Sequence, residues 1–324
     1  MTQQFHRREL LAFGLAALGS GAFAQGAGDK TVKFILPNAT GSGVDAITRA
    51  AQPALAKALG HQVIVDNQPG AGGIVGLQQL ARSAPDGFTF SVVSNNVVIF
   101  PSVYKSIPFD MPGDFTPIAI VGATPIVIVV NPNKVPAKDH KEFAALLRAK
   151  PDQFTYGSGG NGTILHLTGE QYVGEIGAKA RHIPYKGVGA FVTDLIGGQI
   201  DFGTLALPSV QAHIKSGALR AIGVGGAQRT AAAPEIPTIA EQGLPGYVVE
   251  AWFGVLGPKG MAPAEVKRAH DALSAAFADP AVKDAMAKQG NTIDISTSEY
   301  AQAYFRSEKE KYAKLVKKAG IELQ

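Results

Sequence analysis

Short apolar runs along this chain alternate with longer stretches in which apolar residues recur every three or four positions. The first pattern predicts strands, and the second predicts helices packed on one face. Residues 31–36, TVKFIL, read as a strand, and the loop PNATGSGV leads into a helical stretch over 45–59. Pro53 falls inside that stretch. Because it lacks an N–H, it is expected to kink or interrupt the helix. A second strand follows, HQVIVDN (61–67), then the loop QPGAGG, a helix over 74–84, the turn Pro85-Asp86-Gly87 and a third strand, FTFSVVS (88–94). Strand, loop, helix and strand in that order are the signature of parallel βαβ units.

The middle of the chain changes character. Residues 115–132, FTPIAIVGATPIVIVVNP, are apolar but broken by Pro117, Gly122 and Pro125. Two strands are expected here, the second over 126–130 crossing into a second domain. The alternation then resumes with a helix over 139–149, a strand over 154–158 and a helix over 163–176. A strand and turn over 180–187 and a helix over 190–196 follow, then a strand over 199–206, a helix over 209–216 and a strand over 219–226. VVEAWFGVLGP (248–258) carries the chain back, and helices dominate from Pro263 onward. The expected organisation is therefore two lobes, 25–125 with 248–324 and 126–247. Pro85-Asp86-Gly87-Phe88-Thr89-Phe90 is echoed by Pro151-Asp152-Gln153-Phe154-Thr155-Tyr156. The echo fits two related halves, and equally a recurring way of turning from helix into strand.

The ends and the composition narrow the class. Arg7 and Arg8 precede an apolar run over 10–24 that closes on Ala22-Phe23-Ala24. That pattern reads as a signal peptide over residues 1–24, with the small-x-small ending as its cleavage site. The paired arginines suggest twin-arginine export; the residues around them depart from the usual motif, and general secretion stands as the alternative. The chain has no cysteine, which excludes disulfides, thiol catalysis and a lipidated cysteine anchor. A net charge of +4 is small for this length and does not point to nucleic acid. The charged run RSEKEKYAKLVKK near the end reads as the wet face of a surface helix, with Tyr304, Phe305, Tyr312, Leu315 and Val316 beneath it.

Candidate chemistry gathers at strand ends. Tyr156-Gly-Ser-Gly-Gly-Asn-Gly-Thr163 has the Gly157-x-Gly159-x-x-Gly162 spacing of a dinucleotide fingerprint. A dinucleotide also needs an acid at the end of the next strand, and that strand ends Ile183-Pro184-Tyr185-Lys186. A P-loop needs a lysine before Thr163, where Gly162 stands. What remains is a glycine turn at a helix start, a site for a carboxylate or phosphate. Thr40, Gly41, Ser42 and Gly43 form a second such loop, with Asp45 a first-turn acid or a ligand contact. QPGAGG is a third loop, and Ser94-Asn95-Asn96 is a polar strand end. Ligands sit outside the carboxyl ends of strands in open α/β sheets, so two facing domains would form a cleft lined by N–H groups. No Gly-x-Ser-x-Gly and no His-Glu-x-x-His is present, the histidines are scattered, and His166 four residues before Glu170 reads as a surface pair. Trp252 is expected in core or hinge packing, with cleft lining as the second choice.

Taken together, VIVDNQPGAGGIVG, APDGFTF, DFTPIAIVG, YGSGGNGTILHLTGE, IPYKGVGAFVTDLIGGQIDF, LPSVQAHIKSGALRAIGV and PEIPTIAEQGLPGY followed by AWFGVLGPKG carry a resemblance. The chain resembles the Bug, or TctC-like, extracytoplasmic receptors that serve tripartite tricarboxylate transporters. The resemblance implies an α/β type II periplasmic-binding-protein fold, two lobes joined by crossing strands with a ligand cleft between. It also implies closure around a small carboxylate; with the export signal and the missing enzyme motifs, the expected protein is a periplasmic, non-enzymatic, monomeric receptor without cofactor or metal, whose partners are that carboxylate and membrane permease subunits. Carried over residue by residue, the first loop offers Asn38, Thr40, Gly41, Ser42 and Asp45; the polar strand end adds Ser94, Asn95 and Asn96 as candidates on their own chemistry. The second offers Ser158, Gly159, Asn161 and Thr163, with Thr204 and Leu205 as further candidates. This chain departs from relatives at Asn38, where they carry an aromatic residue, and at Ser42, where they carry glycine. Leu205-Ala206 stands where many have Asp-Asn. Losing that acid disfavours a ligand ammonium, so a less polar mono- or dicarboxylate, aromatic acids included, is expected. The rival classes are a periplasmic hydrolase or lyase in the same cleft, and a sensor for a signalling partner.

Overall fold

The computed structural model describes residues 30–321 and Leu323. The expected signal peptide over 1–24 lies outside the described residues. The chain opens with β1 (Val32–Leu36), α1 (Gly43–Leu59), β2 (Val63–Asn67), α2 (Ile74–Ala81) and β3 (Thr89–Ser94). β1 is flanked by β2 and β3, both parallel to it, so the βαβ reading holds here. A single turn, α3 (Asn96–Ile99), leads through a 3-10 turn to β4 (Phe115–Val130). The alternation resumes with α4 (His140–Ala149), β5 (Thr155–Ser158), α5 (Ile164–Glu175), β6 (Arg181–Pro184) and α6 (Val188–Ile196), then β7 (Phe202–Ala206), α7 (Leu207–Lys215) and β8 (Arg220–Val224). β5 is parallel to both β6 and β7. The return strand β9 (Glu250–Pro258) precedes α8 (Pro263–Ala278), α9 (Pro280–Gln289), the short β10 (Thr292–Ile293) and α10 (Ser298–Lys318). The strands lie in the order β2-β1-β3-β9-β4-β7-β5-β6, with β8 and β10 also paired to β4.

β4 is where sequence and structure part. The two expected strands are one strand of 16 residues. Pro117 and Gly122 do not end it, because the ladder with β9 shifts register between Pro117 and Ala119 and again between Ile120 and Gly122. Such bulges absorb residues that a regular ladder rejects. Gly122 has φ 151°, and a Cβ there would run into the Thr292 carbonyl of β10. The third breaker marks a real boundary. Through Pro125, β4 pairs with β9; from Ile126 onward it pairs with β7, and from Val127 also with β8. The strand thus changes neighbours at Pro125–Ile126 without stopping.

Pro53 also fails to interrupt its helix. α1 runs unbroken through it from the Ser42 cap, whose side chain accepts from Asp45 N, to left-handed Gly60. Ala51, Leu55 and Leu59 on either side of Pro53 are buried with Phe34, Phe90, Leu273 and Phe277. Burying two leucines at about 2 kcal/mol each offsets the roughly 3 kcal/mol that an interior proline costs. A second core runs through the far half of β4, where Ile126–Val130 meet Phe143, Tyr156, Phe191, Phe202 and Tyr247. Trp252 is 4% exposed and packs edge-on against Tyr304 and Phe305. Its Nε1 donates to Glu308 Oε2 at 2.7 Å, which holds α10 against the crossing strands. The charged run near the end is, as expected, the outer face of a helix that buries Phe305, Tyr312 and Val316.

Candidate functional site: an interlobe cleft

The register of the crossing strands builds the floor of a cavity of about 630 Å³. Ser94 of β3 stands opposite Phe253 of β9. Ala251, two residues away on the same face, stands opposite Thr124 of β4, and Ile126 stands opposite Ala206 of β7. Strand side chains alternate with period two, so these six residues share one side of the sheet, and all six line the cavity. Trp252 points to the other side, so its second-choice placement in the cleft does not hold.

Around the floor, five helices begin. Ser42, Gly43 and Val44 open α1; Ala71 and Gly72 precede α2; Thr163, Ile164 and Leu165 open α5; Gly187 and Val188 open α6; Ala206 and Ser209 open α7. All of these residues line the cavity. Each helix start carries amides without an intrahelical acceptor and the positive end of a dipole. Among the described lining residues no carboxylate occurs, and Lys186 at the exposed rim is the one basic side chain. The site is therefore an enclosure of hydrogen-bond donors with a largely apolar floor, and among the described residues its one counter-charge lies at the rim. The halves approach each other across it: a Cβ on Gly43 would lie 3.9 Å from Cβ of Ala206, and one on Gly187 would lie 3.4 Å from Cβ of Ala39.

The glycine turn after β5 is held from behind. Thr163 caps α5 by accepting from His166 N at 3.3 Å and donates to the Gly160 carbonyl at 2.8 Å. Ser158 is fully buried; its Oγ accepts from Gly160 N at 3.1 Å and shares a 2.7 Å hydrogen bond with His182 Nε2. His182 stacks on His166 at 3.9 Å, and Gly162 N donates to His166 Nδ1 at 3.4 Å. Burial, reinforced by the neighbouring His166, pushes the pKa of His182 down to about 3, so the ring is neutral. Glu170 bonds the Tyr156 hydroxyl and lies 3.7 Å from His166 Nε2. The two residues read as a surface pair thus belong to a half-buried network under the turn. From the first half, Asn96 Oδ1 accepts from Ile164 N at 2.7 Å and the Tyr104 hydroxyl donates to the Asn161 carbonyl at 3.0 Å.

Of the residues singled out from sequence, Asn38, Ser42, Ser94, Asn96, Gly159, Asn161 and Thr163 line the cavity. The others do not. Thr40 and Gly41 lie exposed on the outer side of their loop. Asp45 is consumed as an organiser: it accepts from Gly41 N, Arg49 Nε and Asn67 Nδ2, each within 3.0 Å. Asn95 turns to the opposite side of the strand end, where its Nδ2 meets the Tyr312 hydroxyl at 2.6 Å. Ser158 is turned inward, as described. Thr204 shares its sheet face with Ala206 but sits one step deeper under α5, donating to the Leu165 carbonyl at 2.6 Å. Leu205, on the alternate face, is core. The sequence reading missed Thr124, Tyr104, Ser209 and Phe253. For Thr124 the signal was present: it stands two residues from Gly122 and from Ile126 in an otherwise apolar run.

Comparison with known proteins agrees with this geometry. The tripartite tricarboxylate transporter family receptor model matches residues 47–321. Protein BugT of Bordetella pertussis is 33% identical over 297 residues, covering 91% of each chain. The structure of the periplasmic binding protein BugD aligns with a TM-score of 0.85 at 31% identity, covering 91% of this chain and 99% of that one. MatC from Rhodopseudomonas palustris, solved with bound malate, aligns at 0.81 and 25% identity, covering 88% of this chain and 98% of that one. The architecture is the type II periplasmic-binding-protein fold, two α/β halves joined by β4 and β9 around a cleft. With the family model matched over most of its length, the chain belongs to the tripartite tricarboxylate transporter receptor family, the family of the Bug solute-binding proteins.

Proposed function

We propose that this protein is a periplasmic receptor that captures a small organic carboxylate in the cleft and presents it to the membrane subunits of a tripartite transporter. The observation that carries the reading is the convergence of five helix starts on a cavity whose described lining holds no carboxylate. An anion entering it meets donors on several sides and no like charge. MatC, with its bound malate, supports the same ligand class. Residues 1–24 serve as the export signal. Residues 25–125 with 248–324 form one lobe and 126–247 the other, and the protein acts as a monomer. The lobes close about β4 and β9 when a ligand bridges them.

The enzymatic alternative has one feature in its favour, the Ser158–His182 contact at 2.7 Å. It fails on access, since Ser158 is fully buried, and on orientation, since no carboxylate bonds the His182 ring among the described residues. The pair braces the turn instead. Mass spectrometry of ligand released from gently purified protein, followed by thermal-shift titration with the acid found, tests the receptor reading. A saturating acid at a hundred times Kd adds about 2.7 kcal/mol of stability and leaves the acid unchanged. Release of a non-acidic compound as the tight ligand, or conversion of the acid, refutes it.

A further inference from the structure

Two hydrogen bonds join the halves of the molecule directly across the cleft, and capture of an anion does not account for them. β3 and β5 stand four strand positions apart in the sheet, about 19 Å at the usual spacing. Yet Asn96, two residues past the end of β3, bonds Ile164, the first residue of the helix that follows β5: its Oδ1 accepts from Ile164 N at 2.7 Å. The Tyr104 hydroxyl ties the same two segments at 3.0 Å through the Asn161 carbonyl. The segment that carries both side chains is anchored on its own side. Asn95 Nδ2 donates to the Glu250 carbonyl at the start of β9 and to the Tyr312 hydroxyl of α10, and Phe100 and Val103 are fully buried. The fit is close as well, since a Cβ on Gly162 would come within 3.0 Å of Val103.

The Asn96 bond does for α5 what an N-terminal cap does, with the acceptor supplied from the other half of the molecule. Thr163 takes the amide of His166 and Asn96 takes that of Ile164. A backbone N–H only donates, so the Asn96 oxygen is the atom that must meet it. Both residues are buried, Asn96 at 7% and Ile164 at 5% exposure. A hydrogen bond of this length is lost once its ends part by about 1 Å, so opening about β4 and β9 breaks it. In the open form water reaches the Ile164 amide. In the closed form the same amide, deprived of Asn96, would be buried and unpaired. The side-chain oxygen therefore stabilises the closed form and leaves the open form unaffected.

We propose that Asn96 is a positioning residue that caps α5 in trans: it completes the glycine turn only when the halves are shut, and so holds the unliganded protein partly closed. Tyr104 is the second tie. The inference goes beyond the receptor reading and takes from it only the hinge. Its consequence for a receptor is that the fraction of closed molecules, and with it the apparent affinity for any guest, depends on a contact between the halves.

The test is a distance measurement by pulsed electron paramagnetic resonance on the full mature protein, stripped of ligand by dialysis in urea and refolded. The chain has no cysteine, so K57C with T193C, at exposed positions on α1 and α6, takes exactly two spin labels. In the otherwise unaltered protein most of the signal should lie at the short distance. N96A should raise the ratio of long to short distances about fivefold or more, the effect of one unpaired buried amide. N96D, whose carboxylate still accepts from Ile164 N at the positive end of α5, should keep the short distance. Y104F should shift the ratio in the same direction as N96A. A predominantly long distance without any substitution at Asn96 overturns the proposal. So does a distribution that N96A leaves unchanged, or one that N96D shifts as far as N96A does, which would make the side chain's packing rather than its oxygen responsible. Near-ultraviolet circular dichroism checks folding; if N96A does not fold, Y104F decides, and an unchanged distribution there overturns the proposal. No ligand enters this experiment, so its failure is distinct from failure of the receptor reading, which the released-ligand measurement tests.

Discussion

Replacing His182 by glutamine should flatten the acid sensitivity of this protein in a defined pH window. His182 stacks on His166, bonds Ser158 Oγ and lies in the network of Glu170 and Tyr156; burial, with the neighbouring His166, holds its pKa at about 3. An unfolded histidine titrates near 6.5. Between those values the unfolded chain binds a proton at this position that the folded chain refuses, so stability falls as pH falls. From pH 7 to pH 5 the linkage is worth about 2 kcal/mol at full strength, and solvent screening of a half-buried ring reduces it to about 1 kcal/mol. pH 5 stays above the usual carboxylate range. Glu170, whose pKa is lowered against the pull of burial by its bonds to His166 and Tyr156, therefore remains ionised and does not confound the window. His140 titrates in the same direction, its pKa lowered mainly by burial, so the comparison must be a difference of differences. Urea unfolding of wild type and H182Q at pH 7 and pH 5 supplies it. Glutamine can still bond Ser158 but cannot titrate. The wild type should lose about 1 kcal/mol more than the variant on acidification. Equal losses would show that His182 is protonated as readily in the fold as out of it, and the account of the buried pair would be wrong.

Three further outcomes follow from the geometry. Gly122→Ala forces a Cβ into the Thr292 carbonyl at φ 151°, and should lower stability in urea by about 2 kcal/mol or more; an unchanged midpoint refutes the bulge argument. Asp45→Ala removes the acceptor that gathers Gly41, Arg49 and Asn67. It should cost about 1–3 kcal/mol in thermal or urea unfolding and weaken all acids by a similar factor, because Asp45 shapes the loop without lining the cavity; a selective loss of one acid refutes that assignment. Lys186→Met at the exposed rim should reduce the salt dependence of the association rate in stopped-flow tryptophan fluorescence, with Trp252 as the reporter, and an unchanged salt slope would remove Lys186 from ligand steering.

How far the sequence could be read depended on whether a residue's role was local. Helix starts were legible because their chemistry is local. A helix was expected to begin near Thr163 and another with Asp45 in its first turn, and the structure starts both there, with Thr163 and Ser42 as the caps. Strand faces were not legible, because a side chain's face is fixed only by its partner strand. Ser94 and Asn95 are neighbours in sequence, yet one lines the cleft while the other reaches Tyr312 of α10, 217 residues away. The same holds for Leu205 and Ala206. The sequence reading set the missing acid at Leu205 and gave that position a ligand role, whereas the ladder turns Ala206 to the cavity and sends Leu205 into the core. β4 shows the converse error. Proline and glycine there were taken as breaks, which they are in an isolated strand, but bulges against β9 and the approach of β10 turn two of them into features of one continuous crossing. Thr124, buried with its hydroxyl unpaired among the described residues, lies between those breakers, and reading them as chain ends hid it. The residue with the clearest unmet hydrogen-bonding need in the cleft was therefore the one that a strand-by-strand reading was least able to see, because its need arises where two halves of a sheet exchange partners.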